Sequence, residues 1–166
     1  MENKLPEIIN AARSGDLALL NSLITAETDL NSKDEKGYTP LIIACYSNRL
    51  AAADFLIAKG ADVNAADNGG NTALMGASFK GYPDIALLLI DNGAHLDLQH
   101  GNGGTALMFA AMFGRNEIVQ LLVEKGADIS LTDCRGLSVF DLSAQQGNIE
   151  AIDILEKPCF KNITTS

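Results

Sequence analysis

Apolar side chains recur at helical spacing along residues 72–94 in two short runs, each closed by a glycine. Leu74, Met75 and Ala77 precede Gly81, and the run from Ile85 to Ile90 precedes Gly93. The same layout begins again every 33 residues: Thr39, Thr72, Thr105 and Ser138 keep that step. So do Gly37, Gly70, Gly103 and Gly136, and so do Gly60, Gly93 and Gly126, each opening a Gly-Ala pair. A fixed period of this size predicts stacked supersecondary units in place of one globular enzyme core.

One period shows how the elements follow. Asp34-Glu35-Lys36-Gly37-Tyr38 is a polar tip with Gly where positive φ is wanted. Thr39-Pro40-Leu41 starts a helix, Thr39 as N-cap and Pro40 at the first helical position, where its missing N–H costs nothing. Leu41, Ala44 and Cys45 share one buried face at three-four spacing. Asn48 stands where later units have Gly81, Gly114 and Gly147, and tolerates a left-handed turn. A second helix over about Leu50 to Lys59 ends at Gly60.

The units divide as 34–66, 67–99 and 100–132, flanked by a degenerate cap at 5–33 and a C-terminal cap at 133–159, with a loose tail at 160–166. In the N-terminal cap, Glu7, Asn10, Arg13 and Asn21 suit a solvent-facing side. Leu87, Leu88, Leu89 and Ile90 are expected to form the apolar side of their helix, as are Ile118, Val119, Leu121, Leu122 and Val123 of theirs. Ser138 and Asp141 have capping-box spacing, and the last helix is expected to stop at Pro158, just before Cys159, the position 33 beyond Gly126.

Asp34-x-x-Gly37-x-Thr39-Pro40-Leu41-x-x-Ala44, followed by Leu56-Ile57-x-x-Gly60-Ala61-Asp62-Val63-Asn64-Ala65, resembles the ankyrin repeat over nearly the whole chain. Pro40 gives way to Ala73, Ala106 and Val139, and the histidine that follows Thr-Pro-Leu in the family is Ile42, Met75, Met108 and Asp141 here. The family's Thr–His hydrogen bond is therefore absent. The resemblance implies an all-α dominated solenoid: L-shaped helix-turn-helix units with short β-hairpin connections, whose tips and first helices form a concave surface. It also implies a protein–protein interaction module, a scaffold, adaptor or inhibitor without catalysis or cofactor.

Composition narrows the partner. Of 166 residues 47% are apolar, enough for one core, and 21 acidic against 12 basic side chains give a net charge of -9. That balance argues against a general grip on nucleic acid or an anionic membrane and mildly favours basic proteins. No apolar run approaches a spanning helix and the first residues lack a secretion signal, so a soluble, cytoplasmic monomer is expected. Cys45, Cys134 and Cys159 are too few and scattered for a disulfide framework.

Few residues invite a chemical reading. His95, Asp97 and His100 lie close together in the chain, and with Cys134 they form the rival reading, a metal-dependent enzyme or redox sensor. Both histidines replace the Asp of other units in the connection between repeats, which favours a surface or backbone-bonded role. Gly101 to Gly104 and Asn68 to Gly70 lack the Gly-Lys-Ser/Thr ending of a phosphate loop, and Asp67 to Asn71 lacks calcium-loop spacing. Cys45 reads as core, and the glycosylation-like Asn162-Ile163-Thr164 as chance.

A recognition surface is legible instead. Tyr46, Phe79 and Met112 are one position in three units, at the end of the first helix on its concave side, with Phe113 beside them. The buried positions are already taken by Leu41, Ala44, Leu74, Ala77, Leu107 and Ala110, so the row is expected outside, about 20 Å long. Tyr38 and Lys80 support it, Leu137 flanks it at the tips, and Lys36, Lys80 and Arg135 rim it with positive charge.

Overall fold

The computed structural model describes residues 3–157. Ten short helices follow one another among them: α1 (Leu5–Ser14), α2 (Leu17–Leu23), α3 (Pro40–Tyr46), α4 (Leu50–Ala58), α5 (Ala73–Lys80), α6 (Pro83–Asp91), α7 (Ala106–Met112), α8 (Asn116–Glu124), α9 (Val139–Gln145) and α10 (Ile149–Glu156). The expected stop at Pro158, Cys159, the tail at 160–166 and the Asn162 acceptor lie outside the described residues.

No helix exceeds ten residues, too short to stand alone in water, so packing supplies their stability. Thr39, Thr72 and Thr105 are all but fully buried, a position their hydroxyls tolerate because each caps its helix. Each Oγ1 accepts from the backbone N–H three residues on, at 3.2–3.3 Å. These donors belong to Ile42, Met75 and Met108, whose side chains are buried, so capping persists without the family's histidine. Ser138 and Asp141 complete a reciprocal capping box.

The odd-numbered helices form one layer and the even-numbered helices a second, each unit contributing one of both. Ala11, Ala44, Ala77 and Ala110, one position 33 residues apart, are at most 1% exposed and let the first layer close up. Ser143 continues them with its hydroxyl returned to the Val139 carbonyl at 2.7 Å. Leu23, Leu56, Leu89, Leu122 and Leu155 run as a parallel spine beneath the second layer. Burying each stabilises the stack by roughly 1.5–3 kcal/mol. From α1 to α8 neighbours pack more densely in the first layer than in the second, which curves that part of the stack toward the first.

The connections are tighter than strand hairpins. Among the described residues β-structure is limited to the bridges Ala66–Thr72 and Thr132–Ser138. Asp34, Asp67, His100 and Asp133 each open a five-residue turn in which their own N–H reaches the carbonyl four residues on, at 2.9–3.1 Å. Successive tips are joined by Asn68 N–H to the Lys36 carbonyl, Gly101 to Gly69 and Cys134 to Asn102.

One helix face departs from expectation. α6 buries Ile85, Ala86 and Leu89, which leaves Leu88 half-buried and Leu87 39% exposed. A single 100° step per residue cannot place four consecutive side chains on one face.

Candidate functional site

Gly76, Phe79 and Lys80 stand at i, i+3 and i+4 of α5 and so share one face. Tyr46, the last residue of α3, lays its ring across that face. A Cβ on Gly76 would lie 3.2 Å from Tyr46 Cδ2, so the absent side chain is what lets the ring lie flat. The ring runs parallel to Phe79, 5° between planes and 6.4 Å between centroids, and Lys80 Nζ sits 4.6 Å from its centroid. A cation so placed at an exposed site contributes about 0.5–1 kcal/mol.

The row continues through Phe113, the C-cap of α7. Its ring meets Phe79 edge-on, 4.6 Å between centroids and 75° between planes. Helices stand about 8–10 Å apart, so Phe113 leans back toward α5 to make this contact. Tyr46 is 45% exposed and Phe113 44%.

Met112 shares its repeat position with Tyr46 and Phe79, yet it is half-buried against the core and lines the neighbouring cleft. Tyr38 and Leu137 are likewise half-buried on the core. Tyr38 lines, with Tyr46 and Phe79, a groove of about 410 Å³ whose walls also include Ile43, Gly76 and Phe109. Those last three escaped the reading of the sequence. Positions 43, 76, 109 and 142 hold Ile, Gly, Phe and Leu, and the missing side chain at 76 among three large ones was the available signal.

Of the three cations expected at the rim, Lys36 is exposed and Lys80 lies over Tyr46. Arg135 instead folds back on Asp133, with Nε and Nη2 donating to Oδ2 at 3.0 and 2.7 Å. That bond, with backbone N–H groups of Leu137 and Arg135, holds the Asp133 carboxyl below the usual carboxylate range. Two residues of separation favour this local pair over a charge offered to a partner.

His95, Asp97, His100 and Cys134 do not converge on one centre. Asn31, Asn64 and Asp97 occupy one position, and each Oδ1 accepts a backbone N–H from the next unit at 2.8 Å: Asp62, His95 and Asp128 respectively. Asp97 and His95 thus belong to the clasp between units. His100 Nδ1 accepts the Gly104 N–H at 2.9 Å, the role that Asp34, Asp67 and Asp133 carboxylates play in their own turns. His100 and Cys134 do border one cleft of about 430 Å³, together with Met108 and Phe109. Among the described residues no three His, Cys, Asp or Glu side chains are grouped to hold a metal ion. No helix among them is long and apolar enough to cross a membrane.

No curated protein matches the chain. The family model for ankyrin repeats, three copies long, matches residues 8–100 and again 92–165. Matched over nearly its full length, and built of helix pairs at a 33-residue step, the chain belongs to the ankyrin repeat family, whose members generally serve as protein–protein interaction modules.

Proposed function

We propose that this chain recognises a partner protein through its first-helix layer, as a scaffold, adaptor or inhibitor without chemistry of its own. Tyr46, Phe79 and Phe113 are the anchors, and Tyr38, Lys80 and Met112 support them. One observation carries the reading: three aromatic rings from three successive units touch in a row, and the two outer ones are left 44–45% exposed. Rings of this size can each bury about 150–250 Å², so two left nearly half open and joined by a third give a contiguous apolar patch on which a partner can close. Aromatic anchors beside an apolar groove also match the composition of interface centres. The chain acts in this reading as a cytoplasmic monomer, without nucleic acid, membrane or cofactor.

The test uses the full chain carrying a photo-crosslinking amino acid at Ser47, which also lines the groove. Crosslinked partners are identified with and without the double change Phe79→Ala and Phe113→Ala. The expected result is a discrete crosslinked protein that disappears in the double variant while the melting temperature stays close to the parent's. A large loss of stability would show the row to be core, and an unchanged crosslink would place recognition elsewhere.

A further inference from the structure

The outer layer is unlike the inner one in a second way. Most exposed large apolar side chains lie on it: Leu17, Leu19, Leu50, Leu87 and Ile149, against Tyr46 and Phe113 on the inner side. Some have a plain cause. Leu19 belongs to the first described unit, whereas its equivalents Ala52, Ile85 and Ile118 lie buried inside the stack. Leu87 has no such excuse, since its equivalents are Asp54, Gln120 and Asp153. A leucine stands 39% exposed where the other units are polar.

Leu87 does not stand alone. Because the outer helices pack loosely, α4 and α6 leave between them a shallow groove of about 520 Å³. Its apolar floor is Leu50, Ala51, Leu87 and Leu88, and its polar lining is Asp54, Asp84 and Asp91. On α6 the order is Asp84, Leu87-Leu88, Asp91, an apolar pair bracketed by carboxylates seven residues apart. Two helical turns separate those carboxylates by about 10.5 Å. Asp54 supplies a third from the α4 wall.

The helical spans around the groove carry charge of one sign. Within their helical spans α4 has one acidic residue, α6 and α8 two each and α10 three, and none of the five outer helices contains a Lys or Arg. Four of the basic residues flanking these helices make contacts of their own, one of them at the groove. Arg49 and Arg115 donate from Nε to the Arg13 and Phe79 carbonyls, and Lys59 lies over Phe55. Lys125 reaches Asp91 at 3.5 Å, an exposed pair of small worth. The spans of the inner helices, by contrast, balance two acidic against two basic residues.

We infer that the α4–α6 groove is a second docking surface, and that its occupant is a basic amphipathic helix. The occupant lays leucine-like side chains on Leu50, Leu87 and Leu88 and places Lys or Arg, about seven residues apart, against Asp84 and Asp91. An apolar groove edged by carboxylates is the complement of a cationic helix face, and apolar contact with opposite charge fixes both orientation and register. An anionic lipid surface is excluded by the same sign of charge. This surface lies on the opposite layer from the aromatic row, so either can fail without the other.

The probe is a fluorescein-labelled helical peptide of about 18 residues, leucines along one stripe and lysines flanking them at i and i+7. Its controls are the same peptide with Glu for Lys and a scrambled peptide of equal composition. Binding to the full chain is read by fluorescence anisotropy. The lysine peptide is expected to bind at least about tenfold more tightly than either control. Leu87→Gln, which copies the third full unit, and Asp84→Lys with Asp91→Lys should each weaken it by about tenfold or more, while Phe79→Ala with Phe113→Ala should not change it. Equal binding of the scrambled peptide, or indifference to Leu87→Gln, would reduce the effect to general charge attraction and overturn the assignment. Self-association of the chain that Leu87→Gln abolishes in sedimentation would overturn it too, by giving the groove to a second copy.

Discussion

Tyr46 rests on Gly76. The ring of one unit occupies the space that a side chain of the next unit would fill, 3.2 Å from the position of its Cβ. A glycine inside a helix costs roughly 1 kcal/mol against alanine, so α5 is weaker than it need be at the place where the aromatic row is seated. Gly76→Ala should therefore leave thermal unfolding at or above the parent's, since the half-exposed Tyr46 ring has room to shift. The same variant should weaken capture of the inner-face partner, because the ring can no longer lie parallel to Phe79. Loss of stability without loss of capture would reverse the assignment and make Gly76 a packing residue only.

The glycines that end helices and form tips differ in what surrounds them. Gly93 has φ +91° with open space around it, so Gly93→Val is opposed by backbone strain alone, about 1–3 kcal/mol. Gly37 has φ +83° and faces the backbone nitrogen of Asn68, the first rung joining one tip to the next. Gly37→Ala should lower the urea midpoint more than Gly93→Ala does, although both exchange the same atoms. Equal effects would mean that the tips are not packed on one another.

The period made most of the architecture legible, because a 33-residue step constrains every unit by the others. Thr39 as a cap, Asn48 at φ 56° and the Ala44–Ala77–Ala110 seam all follow from it. What it hid were the places where one unit departs from the rest for a reason in the next unit. Gly76 matters only because Tyr46 crosses to it, and Arg135 is spent because Asp133 lies two residues away. Leu87 looked like core because leucine is usually core, whereas its equivalents Asp54 and Gln120 already marked the position as outward.

His100 gives a direct test of side-chain equivalence across turns. Its Nδ1 accepts the N–H of Gly104, a buried residue, where other units use an aspartate. His100→Ala should cost about 1–3 kcal/mol, the usual penalty of a buried donor left without its acceptor. His100→Asp should recover nearly all of it by restoring the arrangement of Asp67 and Asp133. Chemical denaturation of the two variants decides the matter, and equal loss in both would mean that His100 acts through its edge contact with Phe109.

Cys45 links the stability of the fold to alkaline pH. It is fully buried in α3, and burial pushes its thiol from the ordinary 9.0 up to about 12. The unfolded chain releases this proton from about pH 9, whereas the folded chain keeps it to about 12. In that window the native state binds more protons, so stability falls as pH rises, and below it the contribution is fully present. Equivalent positions hold Ala12, Ser78 and Ala111, so Cys45→Ala keeps a residue that fits. Urea midpoints of parent and variant, measured from about pH 8 to about 10.5, should converge or cross as the parent alone pays this cost. Parallel curves across that range would show that the thiol ionises as readily in the fold as outside it, and that α3 is not sealed from water.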